Sequence, residues 1–160
     1  NDQALGFYRS EAVRSRFPEI STREEAVLLG DIANAYDGLG NYDQSIEFQQ
    51  QSITLKRVLG NRHGEAFSLV NLGNTYRRAH NYESAIEVYE EALEIWRELD
   101  LSRKEEDTLD NLGHTALDWG LFDIAIEFYE QSLSIKRENN DQLGEASALI
   151  SLGIAYYRSG

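Results

Sequence analysis

A forty-residue spacing runs through this chain and limits what it can fold into. The stretch EAFSLVNLGNTYRRAHNYESAIEVYEEALEIWRELDLSRK, from Glu65 to Lys104, has a copy on either side. Forward it becomes EEDTLDNLGHTALDWGLFDIAIEFYEQSLSIKRENNDQLG, from Glu105 to Gly144; backward, EAVLLGDIANAYDGLGNYDQSIEFQQQSITLKRVLGNRHG, from Glu25 to Gly64. A partial copy, EASALISLGIAYYRSG, runs from Glu145 to Gly160. Self-similarity at a fixed period of about 20–50 residues marks a solenoid, in which each unit buries its apolar face against its neighbours.

The recurring positions have physical meanings. Leu29, Leu69, Leu109 and Leu149 form one column, with Ile32, Leu72, Leu112 and Leu152 three residues on and Tyr36, Tyr76 and Tyr156 four beyond that. Spacings of three and four place them on one helix face. Ala33, Gly73, Gly113 and Gly153 are small, and glycine costs about 1 kcal/mol against alanine inside a helix. Their recurrence predicts close approach by a second helix. That helix begins after Asn41-Tyr42, Asn81-Tyr82 and Leu121-Phe122, with small columns Ser45, Ala85, Ala125 and Ser52, Ala92, Ser132. Ile46, Ile86, Ile126 and Ile53, Leu93, Leu133 flank them, as expected of a helix set into its neighbour's groove. Nowhere does the apolar pattern alternate with a period of two, so no strands are expected.

These residues resemble the tetratricopeptide repeats. The first-helix pattern stands as Leu69, Leu72, Gly73 and Tyr76, and the second-helix pattern as Ala85, Tyr89 and Ala92. The common form has a period of about 34 residues and a closing proline. This chain is more similar to the forty-residue variant of kinesin light chains, Pins-type adaptors and bacterial scaffold proteins, its extra residues expected at the end of the second helix and in the following loop. The resemblance implies an all-α, right-handed solenoid of antiparallel helix pairs. The array divides into 25–64, 65–104 and 105–144, with 145–160 as the first helix of a fourth repeat. Residues 1–24 are expected to supply the second helix of a preceding repeat plus a loop, with a helix from Asp2 to Arg16 and Pro18 after its end. With both ends cutting through repeats, the chain reads as a fragment of a longer array. Ser21 or Thr22, with Glu24 or Glu25 three residues on, predicts a capping box. Two departures stand out. Gln49 occupies the column of Tyr89 and Tyr129, with Phe48 as a candidate to compensate, and Ala116 replaces the column tyrosine, a volume that Trp119 is expected to fill.

Composition narrows the function. Fifteen Lys and Arg against 28 Asp and Glu give a formal charge of −13, which argues against a nucleic-acid backbone or an anionic membrane surface as partner. No apolar run is long enough to span a bilayer, and the chain has no cysteine. A cytoplasmic location is the expectation. No cofactor, metal or catalysis is expected either. The histidines, His63, His80 and His114, lack metal-ligand spacing; the first two are read as loop residues and the third as a first-helix residue. Glu105, Glu106 and Asp107 fall at a helix N-terminus, where the macrodipole favours carboxylates.

First-helix residues that packing does not use line a concave groove, by the resemblance. They run Val27, Gly30, Asp31, Asn34, Asp37; then Phe67, Val70, Asn71, Asn74, Arg77, Arg78; then Asp107, Asp110, Asn111, His114, Leu117, Asp118; then Ser147, Ile150, Ser151, Ile154, Tyr157 and Arg158. Asn34, Asn74 and His114 share one column, Asn71 and Asn111 another. An amide both donates and accepts, which suits gripping an extended peptide backbone; simple solvent exposure accounts for the same residues. Arg77 and Arg78 form a basic spot among Asp31, Asp37, Asp110 and Asp118, matched either to an acidic ligand residue or to pairing within the chain. The family's carboxylate clamp draws basic residues from neighbouring repeats, and the aspartates at 31, 107 and 110 speak against it here. The candidate peptide-binding set is Asn34, Asn71, Asn74, Arg77, Arg78, Asp110, Asn111, His114 and Asp118. The expected function is a non-catalytic protein–protein interaction scaffold. The alternatives are a module that self-associates through open helix ends, and a sensory or regulatory arm of a larger signalling protein. Asn74→Ala is expected to weaken peptide binding while leaving stability almost unchanged.

Overall fold

The computed structural model describes residues 21–160, which form seven α-helices and no strand. The helix read from Asp2 to Arg16 lies outside the described residues. In chain order the helices are α1 (Thr22–Gly38), α2 (Tyr42–Val58), α3 (Arg62–Arg78), α4 (Tyr82–Glu98), α5 (Ser102–Trp119), α6 (Phe122–Glu138) and α7 (Gln142–Ser159). They are 17 or 18 residues long and joined by turns of two or three. The residues beyond the common repeat length therefore extend the helices, not the loops. The stretch from Gly60 to Gly64 is correspondingly no loop; α3 starts at Arg62 and holds His63 in its first turn.

Each turn reverses through one left-handed residue: Gly40, Gly60, His80, Asp100, Gly120 and Asn140, with φ between 55° and 86°. Glycine takes that conformation freely, and Asn, Asp and His visit it more readily than other residues do. Four of the seven starts are fixed by side chains. Ser21 Oγ accepts from the Glu24 amide while Glu24 accepts from the Ser21 amide, completing the capping box. Asn61, Asn81 and Asp141 accept from the amides of Gly64, Ser84 and Gly144. Each removes one of the donors a helix N-terminus leaves without a partner.

Every helix packs on the next one in sequence, giving pairs α1/α2, α3/α4 and α5/α6, with α7 lying on α6. The first helices of successive pairs also touch, α1 with α3 and α3 with α5. The core follows the array instead of a single centre. One cluster joins Ile53, Ala66, Leu69, Leu72, Ala92, Ile95 and Trp96; a second, Ala85, Tyr89, Leu93, Leu109 and Leu112; a third, Ala116, Ala125, Tyr129, Leu133, Ala148, Leu152 and Ala155. Ala85 is wholly buried. Ala85→Leu is expected to destabilise by about 1–3 kcal/mol through overpacking, seen as a lower urea midpoint at constant slope; an unchanged midpoint would mean that α4 has room there.

The small first-helix column is explained more sharply than by helix approach alone. A Cβ on Gly73 would lie 2.6 Å from Tyr89 Cε1, and one on Gly113 2.5 Å from Tyr129 Cε1. It is the tyrosine ring of the second helix that needs the space. In α1/α2, Ala33 and Gln49 replace glycine and tyrosine. Gln49 is buried, and Phe48 stacks on Tyr36 with ring centroids 5.5 Å apart. Trp119 does not fill the volume left by Ala116. It is 45% exposed at the end of α5 and stacks on Tyr82, while Leu117 and Leu121 pack against the cluster that buries Ala116.

Candidate functional site

The Asn34, Asn74, His114 column occupies equivalent places in its three helix pairs, because each member meets the same second-helix column. Gln49 Nε2 donates to Asn34 Oδ1 at 3.1 Å, and the Tyr89 hydroxyl donates to Asn74 Oδ1 at 2.8 Å. The His114 ring stands edge-on to Tyr129, centroids 5.4 Å apart. Burial pushes the Tyr89 hydroxyl up to about 12, the nearby Arg77 and Arg78 charges opposing it. This contact alters the expectation for Asn74. Asn74→Ala leaves a buried hydroxyl without its acceptor and is expected to cost about 1–3 kcal/mol, read from urea unfolding; unchanged stability would mean the tyrosine finds another partner.

Tyr129 shows what happens when the acceptor is missing. Its hydroxyl is buried with no hydrogen bond among the described residues. His114 stands where Asn74 does, and Ala155 stands where Thr115, the other polar neighbour of the Tyr89 hydroxyl, does. His114→Asn should supply the acceptor and stabilise by about 1 kcal/mol; a fall in melting temperature would contradict this.

Asn71 and Asn111 are half-buried one turn earlier. Their carbonyls accept from the Thr75 and Thr115 hydroxyls at 3.2 and 2.7 Å, while their side-chain amides make no hydrogen bond among the described residues. They are the members of the candidate set left with unused donors and acceptors on both sides of the amide.

The charged members are otherwise engaged. Arg78 pairs with Asp37 of α1, which also accepts from Thr75 Oγ1 at 3.0 Å, and Arg77 pairs with Asp118 of α5 at 3.6 Å. The two arginines thus tie α3 to the first helices on either side. Asp110 turns toward α6, accepting from Ser132 Oγ at 2.6 Å and from the buried Lys136 ammonium. Nothing in the first-helix pattern signals that lysine. The clue is its column, Lys56, Trp96, Lys136, where a fully buried tryptophan alternates with cations. Around these side chains Val27 and Phe67 are each about half exposed. Gly30, expected on the groove surface, is buried instead, with Lys56 Nζ and Ser52 Oγ lying over the position of its missing Cβ.

The remaining histidines sit elsewhere. His80, in the turn before α4, shares a hydrogen bond with the Tyr82 hydroxyl at 2.8 Å, and His63 packs edge-on against Trp96. Among the described residues no group of His, Asp and Glu is placed to hold a metal ion, and no helix is long and apolar enough to cross a membrane. Glu105 is ion-paired with Arg97, and burial raises the pKa of Glu106, with Asn139 donating against that shift.

A tetratricopeptide repeat model matches residues 24–98, and a second of the same description matches 107–139. No curated protein matches the chain in sequence. Solved structures do match its fold. BtubC from P. vanneervenii is 22% identical with a TM-score of 0.80, covering 99% of this chain and 68% of its own. A putative kinesin light chain from Podosopora anserina, with nearly identical TPR-like repeats, is 18% identical with a TM-score of 0.79, covering 93% and 73%. A Rap protein complexed with competence and sporulation factor is 20% identical with a TM-score of 0.72; the match covers 88% of this chain and 39% of the Rap protein.

Proposed function

Since the chain belongs to the tetratricopeptide repeat family, which supports a protein–protein interaction module, we propose that α1, α3, α5 and α7 together hold a peptide segment of a partner protein. The observation that carries this reading is the pair of side-chain amides at Asn71 and Asn111, forty residues apart on neighbouring first helices and bonded to nothing among the described residues. Two amides that each donate and accept suit the backbone of an extended segment. The half-exposed Val27 and Phe67 add apolar surface one turn away. One similar fold is a Rap protein complexed with competence and sporulation factor, which supports a bound partner as the use of such an array. The paired arginines serve chiefly to hold the first helices in register. No catalytic step is assigned to any residue.

The test is selection of peptides from a displayed random library, followed by binding to the Asn71→Ala, Asn111→Ala double variant. Affinity is expected to fall at least about tenfold, or about 1.4 kcal/mol, with melting temperature almost unchanged. Equal binding by the variant would remove these residues from the ligand face.

One observation favours self-association as a second reading. α7 exposes Ile150 (66%), Ile154 (43%) and Leu149 (47%), and nothing lies within 4 Å of a Cβ placed on Gly153. Apolar area of that kind seeks a partner. Light scattering that reports a monomer at every concentration would eliminate it.

A further inference from the structure

The two lysines that share a second-helix column have unequal surroundings. Lys136 donates to Asp110, whose carboxylate also accepts from Ser132 Oγ at 2.6 Å. Eighty residues earlier, two repeats back, the same donors recur as Lys56 and Ser52, but the position of Asp110 is Gly30. The α1/α2 pair therefore keeps the ammonium and lacks the carboxylate, and its serine hydroxyl, Ser52 Oγ, donates to the Ala26 carbonyl at 2.6 Å instead. Lys56 is 9% exposed, and its hydrogen bond goes to Ser68 Oγ of α3 at 2.6 Å. Of its three donors, that bond uses one. Asp31, the nearest influence of opposite sign, acts through space and forms no ion pair with it among the described residues; burial depresses the pKa of the ammonium, and Asp31 only partly offsets this. A buried ammonium without a carboxylate is costly.

Space exists for the absent group. A Cβ on Gly30 would meet Ser52 Oγ at 3.4 Å and Lys56 Nζ at 3.8 Å, both at ordinary van der Waals separation. In the equivalent pair the Asp110 side chain that fills this place is 29% exposed. The flanks of Gly30 in α1 include the exposed Val27, Asp31 and Asn34.

We propose that a carboxylate supplied by a bound polypeptide occupies the place over Gly30 that Asp110 fills in the third helix pair, held by the remaining donors of Lys56 Nζ. The recognising cation comes from the second helix and reaches the ligand through a gap left by a glycine. The shared chemistry is a single carboxylate, carried either by an acidic side chain or by a chain terminus. The inference deepens the peptide-binding reading and rests on it for the source of the ligand, though not for the site.

Titration with N-acetylglycine (a terminal carboxylate) and N-acetylaspartate bearing methylamide at its α-carboxyl (a side-chain carboxylate), followed by amide NMR, tests the site without any partner. Expected is a saturable shift of the Gly30 and Ser68 amides with one or both probes, in the millimolar range. The probe that binds more tightly identifies the source. Asp31→Asn, by removing the competing charge, should tighten binding severalfold. Gly30→Asp should abolish it, since its own carboxylate takes the site, and should raise the melting temperature; because it is a stabilising change, loss of fold does not confound it. Lys56→Met should also abolish the shift, with circular dichroism reporting whether the helices persist. No saturable shift in the unaltered chain, or a shift that survives Gly30→Asp, would overturn the proposal. If the probes bind over Gly30 while peptides ignore Asn71 and Asn111, the carboxylate site stands and the peptide-binding reading falls.

Discussion

Replacing Trp96 with alanine is expected to cost about 3–5 kcal/mol, the range for removing a large buried aromatic side chain. Trp96 is 1% exposed and packs with Ile53, Ala66, Leu69, Leu72, Ala92 and Ile95, so its loss opens a cavity where α2, α3 and α4 meet. Its indole N–H is buried without a partner among the described residues, and removing that unsatisfied donor offsets part of the loss. In a solenoid, each unit is stabilised by its interfaces with its neighbours. The damage should therefore show first as early hydrogen exchange in α3 and α4 while α5 to α7 remain protected. Urea unfolding checks the magnitude. A cost below about 1 kcal/mol would mean that the neighbouring helices collapse into the gap far better than buried aromatic sites usually allow.

Alanine at three equivalent glycines should give effects of opposite sign. At Gly73 and Gly113 the new methyl would intrude on the rings of Tyr89 and Tyr129, both wholly buried, so the rings cannot swing aside. Overpacking of this kind costs about 1–3 kcal/mol, against a helix-propensity gain of about 1 kcal/mol. The net expectation is destabilisation at both. At Gly153 no atom lies within reach. Only the propensity gain remains there, so Gly153→Ala should stabilise by about 0.5–1 kcal/mol. Thermal melts of the three single variants decide the matter. Stabilisation at Gly73 would show that the tyrosine ring is not seated on it.

The fold was legible because the residues that build it recur in register. Leu69, Gly73, Tyr89 and Ala92 have physical counterparts forty residues away, and a helical period of three and four is hard to misread. Less legible was anything that depends on what one column does to another. The asparagines at 34 and 74 read as free groove amides, yet each accepts from a buried residue of the paired helix. Arg77 and Arg78 allowed two readings, and the geometry spends both on aspartates of adjacent first helices. Gly30 looked like groove surface because its column holds Val70 and Asp110, while its burial follows from Lys56, in the last turn of the second helix of the pair. Trp119 was misplaced because it is the last residue of α5, immediately before the left-handed Gly120, where its ring stacks on Tyr82 of the preceding pair instead of entering the core.

Most direct is photo-crosslinking with a benzophenone side chain placed singly at Asn71, at Asn111 and at the exposed Glu94 of α4, in the presence of a selected peptide. The first helices form the ligand face if positions 71 and 111 label the peptide and position 94 does not. Labelling from Glu94 with none from 71 or 111 would place the ligand on the second helices and contradict the assignment.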